Sequence, residues 1–163
     1  QLSSFGSFHN LIYTVIQKPI QNVGGSLGGF MFMEFLGCVA MFCGIHGSTV
    51  TGWGYPIITA KSLENLAAWT AGAEIPNIIC SNFETFVLIG GYGATFGPVL
   101  ATLLFAKSKR YKEVAKIAFV PQLFNIGEPF LFGVPVMLNP YLMVPYFGIT
   151  QVNIIIAYIA IYF

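Results

Sequence analysis

The sequence predicts an all-α polytopic membrane protein in which transmembrane helices alternate with re-entrant helical hairpins. Two observations carry that expectation. Hydrophobic residues make up 56% of the 163 and charged residues 8%, whereas a soluble domain is about 25% charged. The apolar residues also gather in runs long enough to cross a bilayer, and several of these runs are broken by Gly and Pro, the pointer to discontinuous helices that line a buried site.

The same composition excludes other classes. A net charge of +1 with seven Lys and Arg in all leaves no basic face for nucleic acid. Cys38, Cys43 and Cys80 form no CxxC pair and no metal-ligand spacing, so they read as small buried apolar residues, and neither a metal nor a cofactor is expected. The start has no charged n-region with a small-residue cleavage site, so no secretory signal peptide is visible. Because the first residue is Gln and Phe163 falls within an apolar run, the chain is expected to be a piece of a longer protein.

In chain order, residues 8–20 put Leu11, Ile12, Val15, Ile16 and Ile20 near helical spacing and end on Lys18 and Pro19, as an amphipathic interfacial helix would. Glycines in "NVGGSLGG" then bend the chain into a first span at residues 27–45, with Glu34 its one charge. Residues 47–80 carry Lys61, Glu64 and Glu74 among Gly and Pro and fit no twenty-residue span. They are a loop or part of a re-entrant segment, with a short amphipathic helix over 61–69. A second span follows at residues 86–106, where Gly90, Gly91, Gly93, Ala94 and Gly97 leave one side almost bare for close helix approach.

Immediately after it, "KSKRYKEVAK" holds five of the seven cationic side chains: Lys107, Lys109, Arg110, Lys112 and Lys116. The positive-inside rule places that stretch in the cytoplasm. It is a topology signal first, and docking of an acidic partner is the alternative use. Residues 114–140, broken by Pro121, Pro129, Pro135 and Pro140, read as a re-entrant hairpin, and residues 141–163 as a last span.

Two ionisable groups stand out as candidates for chemistry. His46, in "GIHGS" at the end of the first span, is either a helix cap at the interface or a group that handles a proton or an anion. Glu128, in "NIGEP", precedes Pro129, and Pro favours the first position of a helix, which makes Glu128 its N-cap. A carboxylate there is stabilised by the helix dipole. The same geometry holds it rigidly toward a polar cavity, where it can accept a hydrogen bond from a hydroxyl or act as a general base. Ionisable residues at membrane depth are costly and mark function by default. Asn125, Ser48 and Thr49 stand beside the two motifs as further hydrogen-bonding candidates. Glu34 is expected to turn toward another helix, and Glu64, Glu74 and Glu84 to lie at the interface. Trp53 and Trp69 suit an interfacial aromatic belt or stacking on a sugar ring.

"GIHGS", "IGGYGATFG", "LLFAKSKRYK" and "VPQLFNIGEPFLFGVPVMLNPYLMVPY" together, in order and spacing, resemble the membrane-embedded IIC permease of the bacterial phosphoenolpyruvate-dependent sugar phosphotransferase system, in its lactose/cellobiose/diacetylchitobiose branch. The likeness covers nearly the whole chain and corresponds to the C-terminal, substrate-binding half of such a permease. It implies a glucose-superfamily IIC fold in the bacterial cytoplasmic membrane. It also implies inward transport of a disaccharide coupled to its phosphorylation by a phosphocysteine on a cytosolic IIB component, itself served by a IIA component. The resemblance further implies a homodimer, formed through N-terminal helices outside this chain. By position, Glu128 and His46 are the pair that flanks the accepting sugar hydroxyl. The family's usual residue before that Glu is Asn, and this chain has Gly127. The competing reading is a proton-coupled secondary transporter in which Glu128 and His46 relay protons and no phosphate is involved.

Overall fold

The structure, a computed structural model, describes residues 25–163, and the amphipathic helix expected over 8–20 lies outside the described residues. Those residues hold helices and no strands: α1 Leu27–Phe42, α2 Gly47–Thr51, α3 Tyr55–Thr70, α4 Ser81–Val87, α5 Phe96–Phe105, α6 Lys109–Gln122, α7 Glu128–Gly133 and α8 Pro140–Tyr162.

Local chemistry sets the boundaries. Ser26 caps α1 by accepting the Gly29 N–H at 3.1 Å. The helix ends at Phe42 rather than at residue 45 because Gly44 takes a φ of 87°. The 47–80 stretch is more ordered than its Gly and Pro content suggests. It contains α2 and the sixteen-residue α3, with Pro56 in the first turn, where its missing N–H costs nothing.

The 86–106 stretch is not one helix. α4 stops at Val87 and α5 starts at Phe96, and between them Gly90, Gly91 and Gly93 take φ values of 85°, 81° and 82°. The glycines read as a close-packing face are thus a tight turn between two half-helices. From Lys109 on, the basic run is helical and forms the start of α6, capped by Ser108. After Gln122 the chain turns through Asn125, at φ 59°, into the six-residue α7. α8 is 23 residues long and, among the described residues, the one helix long and apolar enough to cross a membrane; α1 and α5 are shorter apolar helices.

α8 packs against α1 and α4, while α6 packs against α5 and α7. At the α1–α8 contact, Phe42 meets Tyr146 and Phe147 at ring distances of 5.8 and 5.3 Å, and the Cys38 thiol donates to Thr150 Oγ1 at 3.5 Å. Phe30 on α1 meets Phe83 on α4 edge-on at 5.4 Å. Every one of these contacts joins segments far apart in sequence, so the half-helix α4 is held between α1 and α8.

Some expectations about single residues change. Cys38 and Cys80 are buried, but Cys43 is exposed just past the end of α1. Glu84 is not interfacial: it is 7% exposed. Glu34 turns into the core of this chain, where neither carboxylate oxygen has a hydrogen-bond partner.

Candidate functional site

Four separate backbone features converge on one cavity: the end of α1 with the start of α2, the start of α3, the glycine turn with α4, and the entry to α7. His46 is the N-cap of α2, and the Ser48 N–H donates back to its Nδ1 at 3.3 Å. A ring nitrogen that accepts carries no proton, so in the neutral ring the proton sits on Nε2. Nε2 stands 3.0 Å from Glu128 Oε1 and donates to it. The Ser48 hydroxyl is also 2.7 Å from Nδ1. One edge of the ring is therefore fixed by its own helix, and the other is aimed at a carboxylate 82 positions away.

Beneath the imidazole, the Tyr92 ring stands edge-on at 6.0 Å and its hydroxyl meets Thr51 Oγ1 at 2.9 Å. Thr51 in turn reaches the Gly47 carbonyl at 3.3 Å. Tyr92, from the glycine turn, thus props the loop that presents His46.

Glu128 is positioned by backbone packing. The tip of the turn at residues 88–95 and the turn at residues 123–127 cross each other main chain to main chain. A β-carbon on Gly127 would stand 2.6 Å from the Gly90 carbonyl oxygen and 2.9 Å from Thr95 Oγ1; one on Gly91 would stand 2.9 Å from the Asn125 carbonyl oxygen. A side chain at this position has no room, so Gly127 belongs to the way these two turns meet. The buried Thr95 and Gln122 and the half-buried Asn125 tie the crossing. Thr95 Oγ1 donates to the Gly90 carbonyl at 2.7 Å and accepts from Gln122 Nε2 at 2.9 Å. Asn125 Oδ1 accepts the Gly90 N–H at 2.9 Å, and its Nδ2 donates to the Thr85 carbonyl at 3.1 Å.

The cavity itself is about 300 Å³ and is lined by His46, Glu128, Asn125, Tyr92, Tyr55 and Glu84 among others. That volume is at the small end of the range for small-molecule sites. Among the described residues, no Lys or Arg lines it. A separate cavity of about 350 Å³ between α5, α7 and α8 is walled by residues such as Phe130, Val134 and Val136, away from the His46–Glu128 pair.

Of the residues picked out from sequence, His46 and Glu128 meet directly, and Ser48 supports the imidazole. Asn125 lines the cavity but has its amide engaged with two backbone groups. Thr49 is exposed on α2, and neither it nor Trp53 or Trp69 lines the cavity. The wall residues Tyr55, Glu84 and Tyr92 were not anticipated. Tyr92 sat inside the quoted "IGGYGATFG", and the glycines around it signalled a turn, but nothing local showed which residues that turn would face.

Comparison with known proteins places this geometry. The family "Phosphotransferase system, EIIC" matches residues 2–149. The chain belongs to this family. Among similar EIIC proteins, the lichenan permease IIC component of Bacillus subtilis (strain 168) is 35% identical over 161 residues, covering 98% of this chain and 36% of that protein. A cellobiose-specific EIIC component from Geobacillus stearothermophilus is 34% identical over 146 residues, covering 87% of this chain and 32% of its own length. A lactose-specific EIICB component from Lacticaseibacillus casei is 37% identical over 141 residues, covering 85% of this chain and 24% of that one. Among solved structures, the crystal structure of the transporter ChbC, the IIC component from the N,N'-diacetylchitobiose-specific phosphotransferase system, superposes with a TM-score of 0.84 at 36% identity, covering 96% of this EIIC chain and 37% of that one. The chain spans about a third of the length of the curated relatives it matches.

Proposed function

We propose that this EIIC chain is the substrate-binding part of a phosphotransferase-system sugar permease. In this reading it takes a disaccharide of the cellobiose/lactose/diacetylchitobiose class inward and presents one hydroxyl to a phosphocysteine on the IIB component. The observation that carries the reading is the Nε2–Oε1 hydrogen bond between His46 and Glu128 at 3.0 Å, in the wall of a polar cavity.

In the step proposed, the sugar hydroxyl oxygen attacks phosphorus, the S–P bond of the IIB phosphocysteine breaks, and its thiolate leaves. Glu128 accepts the hydroxyl proton. Phosphoryl transfer asks little covalent help from the protein, and positioning with charge stabilisation dominates. Glu128 orients the nucleophile, and the Nε2–H of His46 holds the carboxylate now and can hydrogen-bond the incoming phosphoryl oxygens. The exposed Lys107, Lys109 and Arg110 at the start of α6 support a cytoplasmic face that a IIB component, served in turn by IIA, docks against. Two relatives named as EIICB components agree with IIB association. The half-helices α4 and α7 support a re-entrant, glucose-superfamily arrangement in the bacterial cytoplasmic membrane, completed as a homodimer by parts of the permease outside this chain.

The test uses the complete permease in membranes supplied with phosphorylated IIB and labelled cellobiose, lactose and diacetylchitobiose. Labelled sugar phosphate is expected from at least one sugar, and Glu128→Gln is expected to abolish most of it. Recovery of unmodified sugar driven by a proton gradient supports the proton-coupled transporter instead.

A further inference from the structure

The Tyr92 ring is held on several sides at once. A β-carbon on Gly37 of α1 would stand 2.6 Å from its Cε1, and one on Gly47 of α2 would run into its Cζ, so the ring fills a slot that these two glycines leave open. The Thr51 hydroxyl donates to the Gly47 carbonyl at 3.3 Å, which leaves its oxygen to accept the Tyr92 O–H at 2.9 Å. Tyr92 is 7% exposed and Thr51 1%. At the cavity end of the slot the ring meets the His46 imidazole at 6.0 Å between centroids and 89° between planes, a favourable perpendicular arrangement for two aromatic rings.

Hydrogen bonds at Nδ1 and Nε2 lie in the plane of the imidazole and leave it free to swing about the line that joins them. A perpendicular ring packed against it opposes that swing, and a ring wedged between two backbones does not yield. The main chain of Tyr92 is as firmly set. A β-carbon on its neighbour Gly91 would meet the Asn125 carbonyl oxygen, and the Gly90 carbonyl oxygen abuts Gly127, so the same turn is seated on the segment that leads into Glu128. One turn thus touches the backbone that carries the carboxylate and the ring that the carboxylate must meet. Resting on the sugar-permease reading above, we infer that Tyr92 is a positioning residue for phosphoryl transfer: its ring sets the tilt of His46, and with it the point at which Nε2–H is presented to Glu128 and to the incoming phosphoryl group. Such a residue acts on turnover rather than on sugar affinity, because alignment matters most when hydroxyl, carboxylate and phosphoryl group must meet in line.

The experiment measures phosphorylation kinetics of the complete permease with phosphorylated IIB and cellobiose. Tyr92→Leu, which empties much of the slot, is expected to lower kcat by about 10-fold or more with KM within about twofold of wild type. Tyr92→Phe keeps the ring between the two glycines and is expected to restore kcat to within about threefold. In the His46→Ala background, where residual turnover is followed, Tyr92→Leu is expected to cost less than about twofold more, because no imidazole is left to tilt. If Tyr92→Leu does not accumulate in the membrane, Tyr92→Met fills the slot with a flexible chain and takes its place in both comparisons. The inference is overturned if KM rises with kcat intact, if Tyr92→Phe is as slow as Tyr92→Leu, or if the Tyr92 change costs as much beside His46→Ala as it does alone. Failure of the wild-type permease to phosphorylate any disaccharide sinks the permease reading itself, a separate outcome from a Tyr92 variant with normal turnover.

Discussion

Gly127 lies so close to Gly90 that a β-carbon on the former would stand 2.6 Å from the carbonyl oxygen of the latter. The obstructing atom is backbone, with Thr95 Oγ1 at 2.9 Å on another side, so neither neighbour can swing away as a flexible side chain would. Gly127→Ala is expected to cost about 1–3 kcal/mol of stability, the range for overpacking, and to impair transport by shifting Glu128. Gly127→Asn, which places there the residue that the family resemblance implies, is expected to do no better. Thermal melting of the purified permease beside sugar uptake checks both.

Thr95 is 2% exposed and holds the same crossing from inside, donating to the Gly90 carbonyl and accepting from Gln122. Thr95→Val keeps the shape and leaves the Gln122 amide and the Gly90 carbonyl each short of a partner. An unsatisfied buried polar group costs about 1–3 kcal/mol, and the melting temperature is expected to fall accordingly, with KM rising less than stability drops.

Asn125 combines a left-handed backbone, φ 59°, with a side chain that bonds the Gly90 N–H and the Thr85 carbonyl. Asn125→Gly keeps the backbone free to adopt that turn and removes the two bonds, whereas Asn125→Ala also strains the backbone. Both variants are expected to lose stability, the alanine by about 1 kcal/mol more. Equal melting temperatures for the two would show that the left-handed turn is not what Asn125 is there to supply.

In the proposed transfer His46 works through Nε2, because Nδ1 is occupied by Ser48. The amide nitrogen of glutamine can reach the region of Nε2, so His46→Gln is expected to keep more phosphorylation activity than His46→Ala. Paired with Glu128→Gln in a double-mutant cycle, His46→Ala is expected to be strongly non-additive, as residues in contact are. Simple additivity of the two losses in kcat/KM would separate the residues functionally despite their 3.0 Å contact.

The sequence reading went furthest where a residue's own chemistry makes it unusual for its surroundings. Glu128 before Pro129 and His46 among glycines are both out of place in an apolar chain, and each could be singled out alone. Their contact could not be read, because it spans 82 positions and depends on how two turns cross. The glycine run at residues 90–97 shows the limit from the other side: small residues suit a tight turn as well as a helix face, and only the φ values of Gly90, Gly91 and Gly93 decide between them. Glu84 was misplaced for a related reason. A carboxylate just ahead of an apolar stretch looks interfacial if that stretch is one span, and buried if it is a half-helix packed between α1 and α8.

The crossing of the two turns also bears on movement. Gly90, Gly91, Asn125 and Gly127 are locked main chain to main chain, and Tyr92 from the same turn carries the His46 loop. There is no hinge between the imidazole and the carboxylate. In the proposed transport cycle, the His46–Glu128 pair would therefore cross the barrier as one rigid block, with the bending done at its borders, near Gly44 and in the irregular 134–139 stretch. A covalent tether joining the turn at residues 88–95 to the turn at residues 123–127 should then leave turnover untouched, while a tether from either turn to the static remainder of the permease should stop it.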